Sequence, residues 1–390
     1  MKLLFKLAAR NLLGAGRRTW LNVIVLSFSF VVIIWHKGIL DGWNRQAKND
    51  MINWETGCGQ YWQNSYDPYD PFSLTEAHAV IPSEFDTIIT NSNLAAVLIA
   101  QGTIYPSGRI KSILIKGINP DQKALKIPSS ALKDFKEEIP ALVGKKMAAE
   151  NEIKIGDEIT LRWRDAHGTF DANEIKITGI FDSNVPTIDA GQVWIPLKKL
   201  QDMLGMPGEA TVLICRNRNS ANFNPAGWKF RSSESLLQTV TDIIKMKSIA
   251  GYVLYIILLS LAMLAIFDTQ VLSIFRRQKE IGTYIALGMT RGQTVGLFTL
   301  EGSLVSVLAA MLSAVYGVPL LAIQASRGIA FPGVQNYGIA AANKIFPFYS
   351  LGLILITAIL IIITTTIVSY LPSRRIAKMK PTEALRGNLQ

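Results

Sequence analysis

Apolar positions along the chain follow two patterns. The first is the long unbroken run, found at Trp20–Trp35 (WLNVIVLSFSFVVIIW), Ile249–Phe267, Gly302–Ser326 and Ile345–Ser373. About twenty apolar residues in a helix cross the hydrocarbon core of a bilayer, so each run is predicted to span a membrane. The first is expected to continue past His36 and Lys37, whose polar ends can reach the headgroups, and the third to begin near Thr294. The second pattern is short alternation between turn residues. Ile110–Ile118 (IKSILIKGI), Ile153–Trp163 with a turn at Gly156-Asp157, Asn173–Phe181, Gly191–Leu197 and Glu209–Arg216 are β-branched runs bounded by Gly, Asp, Asn or Pro, and read as strands. Leu197, Leu200 and Leu204 line one side of a short helix in IPLKKLQDML. The stretch Ser232–Tyr252 is predicted helical, with a cap at Ser232-Ser233-Glu234, and runs directly into the second span.

Composition and charge turn these runs into a topology. The chain is 49% hydrophobic and 18% charged, with a net charge of +11. Fourteen Lys and Arg against two acids sit in three stretches: Lys2–Arg18 before the first span, Arg276–Gln293 between the second and third, and Arg374–Arg386 after the fourth. The remainder is close to neutral. Bases beside spans mark the cytoplasmic side, so both termini and the 276–293 insert are expected in the cytoplasm and the region 41–247 outside. That region, about two hundred residues, can hold its own core. The balance is topological, and no nucleic-acid partner is read from it. A cleaved signal peptide is the competing reading of the first run. The WHKGILDGW that follows is bulky and charged where small residues are needed, which favours an uncleaved anchor.

Little in the chain points to catalysis. His36, His78 and His167 lack metal-ligand spacing, and no P-loop, H-E-x-x-H or G-x-S-x-G is present. Asp67 and Asp70 in YDPYDPF suit a solvated turn better than a metal site. No metal is therefore expected; the lack of a motif does not exclude an enzyme, but nothing in these residues argues for one. Cys58 and Cys215 both fall in the outer region, where a disulfide is chemically allowed; two free thiols are the favoured reading.

The insert RRQKEIGTYIALGMTRGQ (Arg276–Gln293) is longer than a turn requires. KEIGTYIAL suits a short helix, Gly288 a left-handed stop, and Thr290-x-x-Gln293 a capping box for the next helix. Ile281, Tyr284 and Met289 are expected on its exposed side. Such a helix either lies on lipid headgroups or docks a cytoplasmic partner, and periodicity does not choose between them. Two ionisable residues fall within or near spans. Asp268 is expected near the cytoplasmic end or against a polar partner, and Glu301 is read either as functional or as an interfacial group.

The insert, with Glu301 shortly after, resembles the signature of the FtsX-like/MacB/LolCE permeases of ABC transporters, in which an Arg and Glu-Ile-Gly precede Ala-(Leu/Ile)-Gly. YLPSRRIAKMKPTEALR (Tyr370–Arg386) resembles the same family's tail. LAARNLLGAGRRTWLNVIVLS resembles its amphipathic N-terminal helix and entry to the first span, and VGKKMAAENEIKIGDEITL its outer-domain pattern. Asp268 falls where the family often carries a polar residue. Thr283-Tyr284 departs from the usual branched apolar residue and base, and residues 60–110 match least.

The resemblance implies a membrane α-helical fold with four transmembrane helices and an inserted α+β, MacB-like extracytoplasmic domain. The expected division is 1–40 (amphipathic helix and first span), 41–247 (outer domain), 248–275 (second span), 276–293 (coupling helix), 294–326 (third span), 327–344 (outer loop), 345–373 (fourth span) and 374–390 (basic tail). It implies a multi-pass protein of the cytoplasmic membrane. Glu280, Ile281, Gly282, Tyr284, Ile285, Ala286, Gly288 and Met289 would contact an ABC ATPase dimer, which would bind ATP and Mg²⁺; this chain would bind no cofactor. A second permease subunit, identical or not, membrane lipid, and a lipoprotein or amphiphilic substrate complete the implied partners. Three functions remain open. The first is lipoprotein release or amphiphile export by mechanotransmission, in which the permease relays ATPase closure outward. The second is an FtsX-type regulator that activates a cell-wall hydrolase without transport, disfavoured by the large outer region. The third is a sensor for peptide-antibiotic resistance, disfavoured because that group usually has ten spans.

Overall fold

The computed structural model describes residues 2–13, 16–133, 138–217, 225–330 and 344–376. Most of the 327–344 loop and the tail beyond Ile376 lie outside the described residues. The chain divides into two units: Met1–Trp43, Ile244–Ile329 and Phe346–Gln390 form unit one; Asn44–Ile243 and Ala330–Ile345 form unit two.

Unit one is helical. Its helices are α1 (Lys2–Leu13), α2 (Arg17–Met51), α4 (Gln238–Arg276), α5 (Gln278–Ala286), α6 (Arg291–Arg327) and α7 (Leu351–Ile376); α3 (Leu197–Leu204) belongs to unit two. Four stretches, Thr19–Thr56, Gln238–Arg276, Arg291–Arg327 and Leu351–Arg374, are long and apolar enough to cross a membrane. They pack through one buried cluster: Leu12 of α1, Val23, Leu26 and Phe30 of α2, Ala262 and Ile266 of α4, Val305 and Ala309 of α6, and Ile361 of α7. Outward-facing positions are also apolar, among them Leu21, Phe28, Ile256 and Ile363. A water-facing helix would carry polar groups there, so these faces suit lipid. Small residues let the helices approach: a Cβ at Gly302 on α6 would collide with Ser369 Oγ on α7.

The fourth apolar run is helical only from Leu351. Pro347 within Ile345–Ser350 has no N–H to give a helix. Phe348 N–H instead donates to Gly38 O (2.9 Å), and Ser350 Oγ accepts from Leu353 N–H (3.1 Å) at the helix start. The predicted helix from Ser232 is likewise interrupted, with one turn at Ser233–Leu236 before α4; Ser232 caps that turn by accepting from Ser235 N–H.

Among the described residues, the main sheet of unit two has nine strands: β1 (Gly59–Gln63), β2 (Leu94–Ile104), β3 (Lys111–Ile118), β4 (Ile139–Gly144), β5 (Glu158–Arg164), β6 (Phe170–Phe181), β7 (Gln192–Pro196), β8 (Val212–Cys215) and β9 (Trp228–Ser232). Their order is β9-β1-β8-β2-β3-β7-β4-β6-β5, and β5 also pairs back to β2. Six strands therefore close a ring. β2 makes this possible by its length: Leu94–Val97 pair with β8, and Gly102–Ile104 pair with β5. β3–β7 and β4–β6 are parallel, while β5–β6 and β2–β3 are antiparallel. One core cluster includes Leu98, Ile115, Ala141, Val143, Leu161, Ile177 and Val193, joined by Leu200 and Leu204 of α3 (Leu197–Leu204). A second packs the opposite faces, with Val97, Ile99, Leu142, Phe181 and Trp194.

Candidate functional site

The insert between α4 and α6 is built from local signals that the residues make explicit. The turn after α5 carries Gly288, whose φ of +99° is costly for any residue with a Cβ. Gly288 N–H donates to Ile285 O and Met289 N–H to Tyr284 O, both at 3.0 Å. This pair of bonds is the Schellman arrangement, which satisfies carbonyls left free at a helix end. Thr290 then caps α6: its Oγ1 accepts from Gln293 N–H (3.3 Å), and Gln293 Oε1 accepts from Thr290 N–H (2.9 Å). The capping box is complete.

One face of α5 is fixed to its own chain. Ile281 is 2% exposed and packs with Ile274 of α4 and Phe298 of α6, with Ile285 partly buried beside them. Arg277 adds a polar clamp. Its Nη1 donates to both oxygens of Glu301 (3.0 and 3.1 Å) and its Nε to Glu280 (2.7 Å). Its guanidinium lies 5.1 Å from the Phe298 ring centre. Asn11 of α1 donates its Nδ2 to Glu301 Oε1 (2.6 Å). Burial alone would lower the Arg277 pKa, but Glu301 and Glu280 more than offset it, so the group is held above its ordinary value. A buried carboxylate needs this much compensation, because an unpaired charge there costs several kcal/mol.

The other face is bare. Lys279, Thr283, Ala286, Leu287 and Gly288 are exposed, and Tyr284, Ile285 and Met289 are half-buried. Leu287 is 81% exposed, a large apolar side chain offered outward at the end of the helix. The expectation that Ile281 lies on the exposed side is corrected: Ile281 and Gly282 are buried, because Ile281 fills the notch between α4 and α6. Glu280 is held by Arg277 rather than left free. Glu301 is 6% exposed and paired. Asp268 lies on α4 eight residues before Arg276 and is exposed, and no hydrogen bond or ion pair reaches its side chain among the described residues. No role for Asn11 or Phe298 is legible in the sequence, where Arg277 and Leu287 stand only as parts of the RRQKEIGTYIALG motif. Arg277 lies in the turn between α4 and α5, 24 positions before Glu301 on α6, so no helical period links them.

Unit two offers little chemistry beside this. Asp67 and Asp70 each accept from a backbone N–H two residues on, Tyr69 and Phe72, at 2.9 Å, which makes the YDPYDPF stretch a pair of turns. His78 pairs with Glu209. No group of three metal-ligating side chains is found among the described residues. Cys58 and Cys215 are free thiols on touching backbones, with Cys58 N–H donating to Cys215 O at 2.8 Å. Burial, with Cys58 nearby, pushes the Cys215 thiol up to about 12.

Residues 252–381, which hold most of α4 and all of α5, α6 and α7, match the family described as FtsX-like permease C-terminal. No curated protein matches the chain.

Proposed function

From a chain that carries an FtsX-like permease C-terminal domain, we propose the permease subunit of an ABC transporter, driven by ATP hydrolysis on a separate ATPase chain. The observation that carries this reading is the two-sided insert. α5 is locked to α4 and α6 by Ile281 and the Arg277–Glu301 pair, while Thr283, Ala286 and Leu287 are bare. A helix fixed at its back, with a large apolar side chain exposed at its end, takes a displacement from a docked partner and hands it to two spans at once. A few buried anchors supply most of the energy of such a contact; Leu287, Tyr284 and Met289 serve here, and Gly288 and Ala286 allow close approach. The partner ATPase dimer binds ATP and Mg²⁺.

The insert and both termini then face the cytoplasm, in keeping with the bases around the spans. α4 is one continuous helix from Gln238 to Arg276, so a movement of α5 is relayed along it without substrate crossing the bilayer. A second permease subunit accounts for Asp268, since an exposed carboxylate within a span costs at least ~2.5 kcal/mol in lipid and calls for a polar neighbour. Lipoprotein release or amphiphile export is supported by a cleft of about 1090 Å³ in unit two, lined by Phe72, Leu74, Leu114, Phe170 and Met206 among others. Its mixed walls and size suit an acyl chain with a polar end.

The test is affinity purification of the full chain in mild detergent, with mass spectrometry of what accompanies it. The wild type should bring an ATPase with a P-loop. Leu287→Asp should lose it while still inserting in the membrane, because the change buries an unpaired charge at the contact. A Leu287→Asp chain that keeps its ATPase and full ATP hydrolysis contradicts the proposal.

A further inference from the structure

A cleft of about 620 Å³ opens within unit one between the end of α1, the start of α2, the end of α4 and α6. Four arginines and two carboxylates line it. Arg277 is engaged by Glu301 and Glu280. The other three, Arg10, Arg17 and Arg276, are exposed, and among the described residues none of them meets a carboxylate or another hydrogen-bond partner. The cleft is therefore cationic after its own carboxylates are accounted for.

A second observation is independent of charge. Asn22 and Gln270 both line the cleft and are 6% and 8% exposed. Their carboxamides offer donors and acceptors at the cleft wall. A ligand in the cleft can therefore take hydrogen bonds from both. Thr19 and Ser273 add hydroxyls to the same walls.

The surroundings select the kind of ligand. Trp20 and Leu21, next to Thr19, are exposed, as are Leu272 and Phe275 beside Ser273 and Arg276, and Phe5 on α1. Tryptophan and exposed apolar side chains at the basic end of a span mark headgroup level. A phosphate-bearing group entering from that level meets guanidinium groups, which bind phosphate with two parallel N–H bonds, and leaves its chains against the apolar rim.

We propose that this cleft binds the headgroup of an acidic phospholipid from the leaflet on the side of the insert. The ligand touches Arg276, next to Arg277, and so sits against the clamp that fixes α5. The site requires that the apolar helices span a membrane, and it does not depend on an ATPase docking to α5.

Native mass spectrometry of the full chain, delipidated in detergent and given defined lipids, tests this. The wild type should bind phosphatidylglycerol in preference to phosphatidylcholine. At roughly five-fold per basic residue near the surface, Arg10→Gln, Arg17→Gln and Arg276→Gln together should weaken phosphatidylglycerol binding on the order of 100-fold. The single Arg17→Gln change, at an exposed side chain that leaves folding intact, should weaken it about five-fold. Lys279→Gln, Arg291→Gln and Arg327→Gln together remove the same charge away from the cleft and should leave binding close to wild type. The proposal is overturned if both lipids bind equally, if the cleft variants bind as the wild type does, or if the distant variants lose as much. It is also overturned if inorganic phosphate in large excess displaces the lipid, which would make the cleft a site for free anions.

Discussion

Glu301 carries the strongest residue-scale demand in unit one. Its carboxylate is buried against α1 and α4 and is balanced by Arg277 and Asn11. Replacing Arg277 with Met leaves that charge nearly alone, and breaking such a pair costs about 3–5 kcal/mol. Arg277→Met should therefore lower the Tm of the detergent-purified chain markedly. Adding Glu301→Leu should restore most of the loss, because the charge that needed a partner is gone; a double variant as unstable as the single one would contradict the pairing. Asp189 in unit two makes a pH-dependent case. It accepts from Lys146 N–H (3.0 Å) and Ser183 N–H (3.4 Å), yet burial, the largest influence, raises its carboxyl above the ordinary 3.8. The folded chain then holds this proton to higher pH than the unfolded chain does. The stability Asp189 contributes is full below the unfolded pKa and is lost as pH rises through the folded one. The Tm advantage of the wild type over Asp189→Asn should shrink as pH rises above about 4, the ordinary Asp value, and a gap that widens would reverse the assignment. Glu301 also shows what the sequence withholds. Its presence near a span is plain, but its partner Arg277 lies in the α4–α5 turn, at a sequence distance that only folding brings together.

At the scale of elements, legibility followed from how many faces are buried. β5 alternates in sequence and in burial, with Ile159, Leu161 and Trp163 inward and charged neighbours outward, and it was read as a strand. β2 and β4 were not. β2 buries Leu98 and Ala100 on one core and Val97 and Ile99 on the other, and β4 divides Ala141 and Leu142 in the same way. A strand buried on both faces has no polar phase to alternate with. β1 and β9 are five residues each and include Gln, Gly, Lys and Arg, too little apolar pattern to register. The insert was the reverse case, because its stop and cap are chemical rather than periodic. Gly288→Ala places a Cβ at φ +99° and should cost about 1–3 kcal/mol; Thr290→Ala removes one cap bond and should cost about 1 kcal/mol. Hydrogen exchange at Met289–Gln293 reports both, and unchanged protection would mean that the turn does not depend on them.

For the whole molecule, the apolar runs and the bases around them were legible because lipid imposes one rule over the full length of each span. Which surfaces meet other chains was not, since Ile281 and Leu287 are equally apolar in sequence and only the packing of α4 and α6 tells the inward one from the outward one. The topology is checked by cysteine labelling on a Cys58→Ser background. His167→Cys, on an exposed turn of unit two, should react with an impermeant maleimide from outside, and Lys279→Cys, exposed on α5, only after the membrane is opened. The reverse order would invert the assignment. The central claim is that the bare end of α5 is where an ATPase takes hold. The most direct measurement is site-specific photo-crosslinking in membranes, with a photoreactive residue in place of Leu287 and, as a control, in place of the buried Ile281. The account predicts a covalent product between position 287 and an ATPase chain, and none from position 281. Crosslinks from position 287 to lipid alone would contradict it.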